Sequence, residues 1–355
     1  MSLTTEAIIL LQSLIETPSF SKTEEKTAAL LVQFFEKKSI PVFRKGNNIW
    51  VKSNNWDNNK PTILLNSHHD TVKPVSDWTR DPFEAKIEGD VLYGLGSNDA
   101  GASLVALAMC FLHFYQLDNP FNMIFAASAE EEISGKNGIA SIKSDLGKID
   151  LGIIGEPTQM QMAIAEKGLM VIDGTAQGKA GHAARTEGIN AIYIAMQDIH
   201  NIIHYKFKKE SKFLGKTKAT VTQINAGTQH NVVPDICQFV IDVRTTESYT
   251  NREVFTLLDE MTKSDLKARS FRLNSSGIAL DHPIVKKGMA MGMNCYGSPT
   301  LSDQALLDFT TIKIGVGKSA RSHTANEFIL LSEIREGIVK YIDLLTDLQL
   351  LSGVR

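Results

Sequence analysis

The chain has 355 residues, 43% hydrophobic and 22% charged, which suits about two domains of ordinary soluble globular composition and excludes disordered, collagen-like and coiled-coil classes. Lys plus Arg total 37 against 40 for Asp plus Glu, a net charge of -3. No block of like charge that could form a phosphate-binding stripe stands out, which argues against nucleic acid as a partner. Cys110, Cys237 and Cys295 are too dispersed for a disulfide framework or a CxxC metal site, and a reducing compartment follows. The N-terminus lacks the basic start of a signal peptide, and the apolar stretch 104–114 is too short to span a bilayer, so a cytoplasmic enzyme or binding protein is expected.

In chain order, Ser21 and Glu24 read as a capping box before a helical repeat of Ala28, Leu31, Phe34 and Phe35. Short apolar runs at 62–66, 123–127 and 151–154 suit strands buried on both faces. An apolar helix over 102–115 lies between two of them, giving the βαβ rhythm of a mostly parallel sheet covered by helices. From residue 168 the order becomes strand (169–176), helix (189–204), strands (218–225 and 236–245), a helix capped by Thr250 and Glu253, and a strand (268–273). That βαββαβ order is the ferredoxin-like pattern. After about residue 275 a strand at 311–316 and an amphipathic helix from Ser332 restore the α/β texture. The expected fold is therefore an α/β domain of residues 1–167 and 276–355 with a small domain, 168–275, inserted into it.

Each apolar run of the first domain ends in a residue type that binds metals. Residues 63–66 lead into Ser67-His68-His69-Asp70, 124–127 into Glu130-Glu131-Glu132, and 153–154 into Gly155-Glu156-Pro157. Sites in open parallel sheets lie at the carboxyl ends of the strands, so three strands would deliver His68, a glutamate and Glu156 to one edge. Asp99, in a glycine-rich turn, and His323, after the 311–316 strand, can add an Asp and a second His. Zinc accepts such nitrogen and carboxylate ligands, and paired zincs about 3.5–4 Å apart can share a bridging carboxylate. His68 and Asp70, two apart on an extended segment, point the same way, so Asp70 can accept the spare imidazole N–H. Taken singly, a glutamate run is usually a solvated patch and a His-x-Asp usually loop decoration. Only the joint placement at strand ends argues for a site.

Seven motifs together carry a resemblance: 67–72 (SHHDTV), 78–83 (WTRDPF), 93–99 (YGLGSND), Glu130-Glu131-Glu132, 155–158 (GEPT), 181–184 (GHAA) and 323–327 (HTANE). In order and over essentially the whole chain, they resemble the zinc aminoacylase and carboxypeptidase family. That family includes acetylornithine deacetylase, succinyl-diaminopimelate desuccinylase and glutamate carboxypeptidases. The resemblance implies two divalent metals per chain, zinc or else cobalt, bridged by Asp99. One would be completed by His68 and Glu156, the other by Glu132 and His323. It further implies Glu131 as general base, Asp70 as partner of His68, and a homodimer in which His182 of the inserted domain reaches the neighbouring active site. Asn231 and Arg244 match positions that contact substrate, although a structural ion pair is the competing role for Arg244. The family commonly has Gly-Arg-Gly before the bridging Asp and Lys-Gly after it. Here Leu95 and Ala100-Gly101 stand instead, which bears on the choice of subfamily.

The implied reaction is hydrolysis of an amide between a small acyl group and an amino-acid α-amine, most closely that of acetylornithine deacetylase or an N-acyl-citrulline deacylase in arginine biosynthesis. Succinyl-diaminopimelate desuccinylase, a small dipeptidase and a metal-free binding or dimerisation module are the alternatives. Other motifs fail. The third glycine of a dinucleotide fingerprint after Gly94-Leu95-Gly96 would fall on Asp99, and the first glycine of a phosphate loop before Gly317-Lys318-Ser319 on Ile312. His200 and His204 lack the glutamate of a zincin helix, and no Gly-x-Ser-x-Gly elbow exists.

Overall fold

The computed structural model describes residues 1–350. The chain divides into two compact units, one of Met1–Ile164, Ile278–Tyr296 and the chain from Ser302 onward, the other of Ala165–Gly277 and Gly297–Leu301.

In the first unit the sheet runs in the order Phe43–Lys45, Asn48–Lys52, Asn122–Ser128, Thr62–His68, Leu151–Ile154, Thr311–Lys313, Met162–Glu166. Its four middle strands are parallel, while Asn48–Lys52 and Met162–Glu166 pair antiparallel with their neighbours. Thr62–His68 and Asn122–Ser128 are buried at every position, as apolar runs without alternation require. Leu64, Ile124 and Ala126 meet Ile139, Ile142 and Leu146 of the helix Ile139–Leu146 on one face. Because side chains alternate along a strand, Phe125 points to the other face. There its ring lies 5.5 Å from that of Phe35 and 6.3 Å from that of Phe111. Phe125→Ala is expected to lower unfolding stability by about 3–5 kcal/mol, the usual cost of emptying a buried aromatic site, read from the first unfolding transition in denaturant.

The helix Ala102–Phe114 is buried almost all round, which explains its lack of a polar stripe. It packs against the two longest parallel strands and is covered by Leu3–Ile15 and Leu331–Leu345. The expected Ser21–Glu24 capping box does not form. The helix Glu25–Glu36 starts later, with Glu24 at the N-cap and no side-chain cap, and Ser21, four residues before it, donates its hydroxyl to Asp70 Oδ2 at 2.7 Å. The Glu24 carboxylate is likewise taken up by the amides of Lys22 and Glu130 and by Asn47 Nδ2.

The second unit has the βαββαβ order of Met170–Gln177, Ala191–His204, Lys218–Ala226, Ile236–Arg244, Asn251–Asp259 and Asp265–Ala268. The sheet is antiparallel, with the strands beginning at 218, 236, 170 and 265 in that spatial order. Burial alternates along Met170–Gln177, so one face carries the core of Met170, Ile172, Phe239, Ile241, Val254 and Leu258. The Thr250–Glu253 capping box forms as read. The final strand comes earlier than the sequence suggests: Asp265–Ala268 pairs with residues 172–175. Phe271, counted as strand, leaves the sheet to meet Phe255 edge-on, with ring centres 5.3 Å apart. Lysines 206, 208, 209, 212, 216 and 218, all exposed, come nearest to a block of like charge. Lys209 and Lys216 face Glu253 and Glu210 at 3.6 and 3.9 Å. Among the described residues no helix is long and apolar enough to cross a membrane.

Candidate metal centre

The carboxyl ends of four adjacent parallel strands bring the site of the first unit together. His68 closes the strand Thr62–His68, Glu131 and Glu132 follow Asn122–Ser128, and Glu156 follows Leu151–Ile154. His323 lies in the loop beyond Thr311–Lys313, and Asp99 in the turn before the helix Ala102–Phe114. Two glycines make that turn possible. Gly96 has φ 76°, a conformation open to it without strain, and a Cβ there would stand 2.6 Å from Thr71 Cγ2. A Cβ on Gly101 would sit 2.4 Å from the Gly96 carbonyl oxygen.

Asp99 faces both histidines: Oδ1 is 3.4 Å from His68 Nε2 and Oδ2 is 3.6 Å from His323 Nε2. His68 Nε2 also has Glu156 Oε1 at 3.8 Å and Glu131 Oε2 at 4.0 Å. His323 Nε2 lies 3.0 Å from Glu132 Oε2. Ligand atoms of His68, Glu131 and Glu156 fall within 4.8 Å of one another, as do those of His68, Asp99 and Glu132.

Asp70 behaves differently from its expected role. The acceptor nearest His68 Nδ1 is the Asp70 backbone carbonyl at 2.8 Å, with the carboxylate Oδ1 at 3.5 Å. The carboxylate is turned toward the loop carrying the glutamates, accepting the amide of Glu131 at 3.0 Å and that of Glu132 at 3.2 Å. Glu130, the first of the three glutamates, adopts φ 53°, a left-handed conformation costing a non-glycine residue about 1–2 kcal/mol. It is held there by its amide on Glu24, its carbonyl on the Gly135 amide, and its carboxylate on Asn137. His69 is structural. Its ring bonds to Thr27 and to the Asn47 carbonyl, and burial lowers its pKa to about 4.

The electrostatics show what the cluster demands. Burial pushes the Glu156 carboxyl up to about 8, and burial with neighbouring carboxylates raises Glu131 well above the usual range. Burial opposes a charge on His68, yet Asp70, Asp99, Glu131 and Glu156 lift its pKa well above normal. The hydrogen bond that His323 donates to the Glu132 carboxylate raises His323 to about 9. The cluster therefore draws in positive charge, and protonating its histidines is one way to supply it. His68 Nε2 is buried and has no hydrogen-bond partner among the described residues. With Nδ1–H given to Asp70, a neutral ring aims the Nε2 lone pair at three carboxylate oxygens. A divalent cation satisfies that orphaned atom and the excess charge together, and the His/Asp/Glu donor set suits zinc.

Several supporting residues carried no signal in the sequence. Asp303 lies buried beneath the site, accepting from Ser128 Oγ at 2.6 Å and Asn66 Nδ2 at 2.9 Å, and burial raises its pKa to about 6. It ties together the strands that carry His68 and lead to Glu131. Asn98 joins the Asp99 turn to the loop before His323 through the Lys318 amide at 2.9 Å and carbonyl at 3.1 Å. These partners are remote in sequence, so no local spacing could single them out.

The remaining predicted positions belong to the second unit. His182 is exposed on a two-residue strand paired with Val232–Val233, and its Nδ1 accepts the Ala184 amide at 3.1 Å. Asn231 is its neighbour, with its carbonyl accepting the Ala183 amide at 2.9 Å. Arg244 holds Asp242 through Nε at 2.8 Å and Nη2 at 3.1 Å, the ion pair that the sequence left open as the alternative to a substrate contact. On the helix Ala191–His204, His204 Nδ1 approaches the His200 carbonyl at 2.8 Å, and both residues are exposed.

Residues 164–270 match the family described as peptidase dimerisation domain. The chain is 26% identical over 363 residues to an acetylornithine deacetylase of Buchnera aphidicola subsp. Schizaphis graminum, covering 91% of this chain and 93% of that one. It is 26% identical over 256 residues to a succinyl-diaminopimelate desuccinylase of Psychromonas ingrahamii, covering 67% of each. Among solved structures, YXEP of Bacillus subtilis, titled a dinuclear metal-binding peptidase from the M20 family, superposes with TM-score 0.73 over 97% of each chain. At 17% identity that last likeness speaks for the fold alone.

Proposed function

From a chain whose residues 164–270 match the peptidase dimerisation domain and which resembles an acetylornithine deacetylase over nine-tenths of its length, we propose an M20-type metal-dependent deacylase. It would cleave the amide between a small acyl group and the α-amine of an amino acid, with Nα-acetylornithine or an Nα-acyl-citrulline as substrate and arginine biosynthesis as setting. The observation that carries the hydrolytic centre is Asp99, whose Oδ1 lies 3.4 Å from His68 Nε2 and whose Oδ2 lies 3.6 Å from His323 Nε2. The substrate follows the likeness to the Buchnera acetylornithine deacetylase, which spans nine-tenths of both chains.

In this reading His68, Asp99 and Glu156 would hold one divalent ion, and Glu132 and His323, with Asp99 beside them, would hold a second. Zinc is the expected ion, and cobalt can stand in for it. Such ions, when bound, lower the pKa of water toward about 7 and polarise the carbonyl under attack. Glu131 takes the proton from the attacking water and delivers it to the leaving amine. Asp70 positions this base through the Glu131 amide while orienting the His68 ring. His182 supplies an oxyanion contact to the site of a second copy in a homodimer, and Asn231 beside it touches substrate. Arg244 would contact a substrate carboxylate only by giving up Asp242. A location in the cytoplasm agrees with the reducing surroundings that three unpaired cysteines suggest.

The test is amine release from Nα-acetyl and Nα-succinyl forms of ornithine, citrulline and diaminopimelate by zinc-loaded or cobalt-loaded protein. Cleavage confined to acetylated ornithine or citrulline is expected. Cleavage of succinyl-diaminopimelate alone would select the desuccinylase reading that the Psychromonas relative favours, and a silent panel with metal bound would turn the search to dipeptides.

A further inference from the structure

Glu327 lies four residues beyond His323, and its side chain is only 2% exposed. Its Oε1 accepts the backbone amides of Asn98 at 2.8 Å and Asp99 at 2.9 Å, while Oε2 accepts that of Gly96 at 3.1 Å. The Glu327 carbonyl in turn accepts the Gly94 amide at 3.0 Å. The turn that carries Asp99 is thus held on one side chain from a distant part of the chain. All three side-chain contacts are donors, so the position calls for a group that only accepts. An amide would set its own NH2 against a backbone N–H. Burying a carboxylate merely to fill space would be costly, and three amide donors are what make it tolerable here.

We propose that Glu327 is a positioning residue for cation binding. By fixing the amides on either side of the Asp99 turn, it aims Oδ1 at His68 and Oδ2 at His323, the arrangement a bridging carboxylate needs. This inference rests on the two-cation reading of the site. Outer partners that orient a metal ligand typically matter by about 10–100-fold in metal affinity when removed.

The experiment compares the full-length, metal-stripped wild-type protein with Glu327→Gln, Glu327→Asp and Asp90→Asn. Zinc is titrated against a chromophoric chelator, and amide hydrogen exchange is followed at residues 96–99. Asp90 caps a helix through the Ser332 amide at 3.0 Å and its hydroxyl at 2.5 Å, so its variant reports a purely structural loss. The expected result is that Glu327→Gln weakens one of two zinc-binding events by about 10–100-fold and speeds exchange at Asn98 and Asp99. Glu327→Asp, which keeps the anion on a shorter stem, falls between, and Asp90→Asn lowers thermal stability without changing zinc affinity. Wild-type zinc affinity in both Glu327 variants, or an equal loss in Asp90→Asn, overturns the positioning role. A wild-type protein that takes up no zinc overturns the two-cation reading beneath it instead.

Discussion

Glu131→Gln should lower kcat by about 10²–10⁴-fold, the range general-base catalysis commands, while the protein keeps its full complement of zinc. Gln preserves the shape of the side chain and leaves the backbone N–H hydrogen bond to Asp70 Oδ1 in place, but cannot accept a proton from water. The position suits a base. The side chain is 13% exposed, with Oε2 4.0 Å from His68 Nε2. Burial and the charges of Glu156, Asp303 and Glu132, against the opposing pull of His68, raise its affinity for a proton, the direction a general base needs. Steady-state kinetics combined with metal analysis of the same sample makes the check. Parallel loss of zinc and activity would reassign Glu131 as a ligand, a role its proximity to His68 and Glu156 leaves geometrically open.

The second large effect is expected from the cations. Stripping them with a chelator should abolish hydrolysis and lower the unfolding temperature, because Asp99, Glu131, Glu132 and Glu156 are then left to repel one another around His68 and His323. Restoring zinc at 100 times its dissociation constant contributes about 2.7 kcal/mol per site. For a unit of this size that corresponds to roughly 5–10 °C per site. Asp99→Asn should remove most of this response, since a neutral amide leaves the bridge without charge and puts a donor where a ligand is needed. Thermal scans with and without zinc, on wild type and Asp99→Asn, read the difference directly. An unchanged zinc response in Asp99→Asn would remove Asp99 from the bridging position.

The middle strands were readable from the sequence because parallel strands buried on both faces leave unbroken apolar runs, and residues 62–66, 123–127 and 151–154 are such runs. The rule that sites form at strand ends then located His68, the glutamate loop and Glu156 without coordinates. The strand read at 169–176 and the Thr250–Glu253 box were equally local signals, and both form, the strand as Met170–Gln177. Ser21 misled because its spacing to Glu24 fits a cap. Its hydroxyl goes to Asp70, 49 residues away, and a partner at that distance leaves no periodic trace. The strand expected at 268–273 failed for a related reason, since packing of Phe271 on Phe255 outweighed its own strand propensity.

By itself, then, the sequence determined the fold class and which strand ends carry His, Asp and Glu side chains, because hydrophobic period and residue type are properties of neighbours along the chain. Only the tertiary structure decided which atoms face each other. It directed the two oxygens of Asp99 at two histidines, turned Asp70 to the amides of the glutamate loop, placed Asp303 beneath the strand ends, and wrapped the turn around Glu327. Each of these is an unpaired donor or a buried charge finding a partner across a long stretch of chain, and that pairing is set by burial in the folded state rather than by spacing.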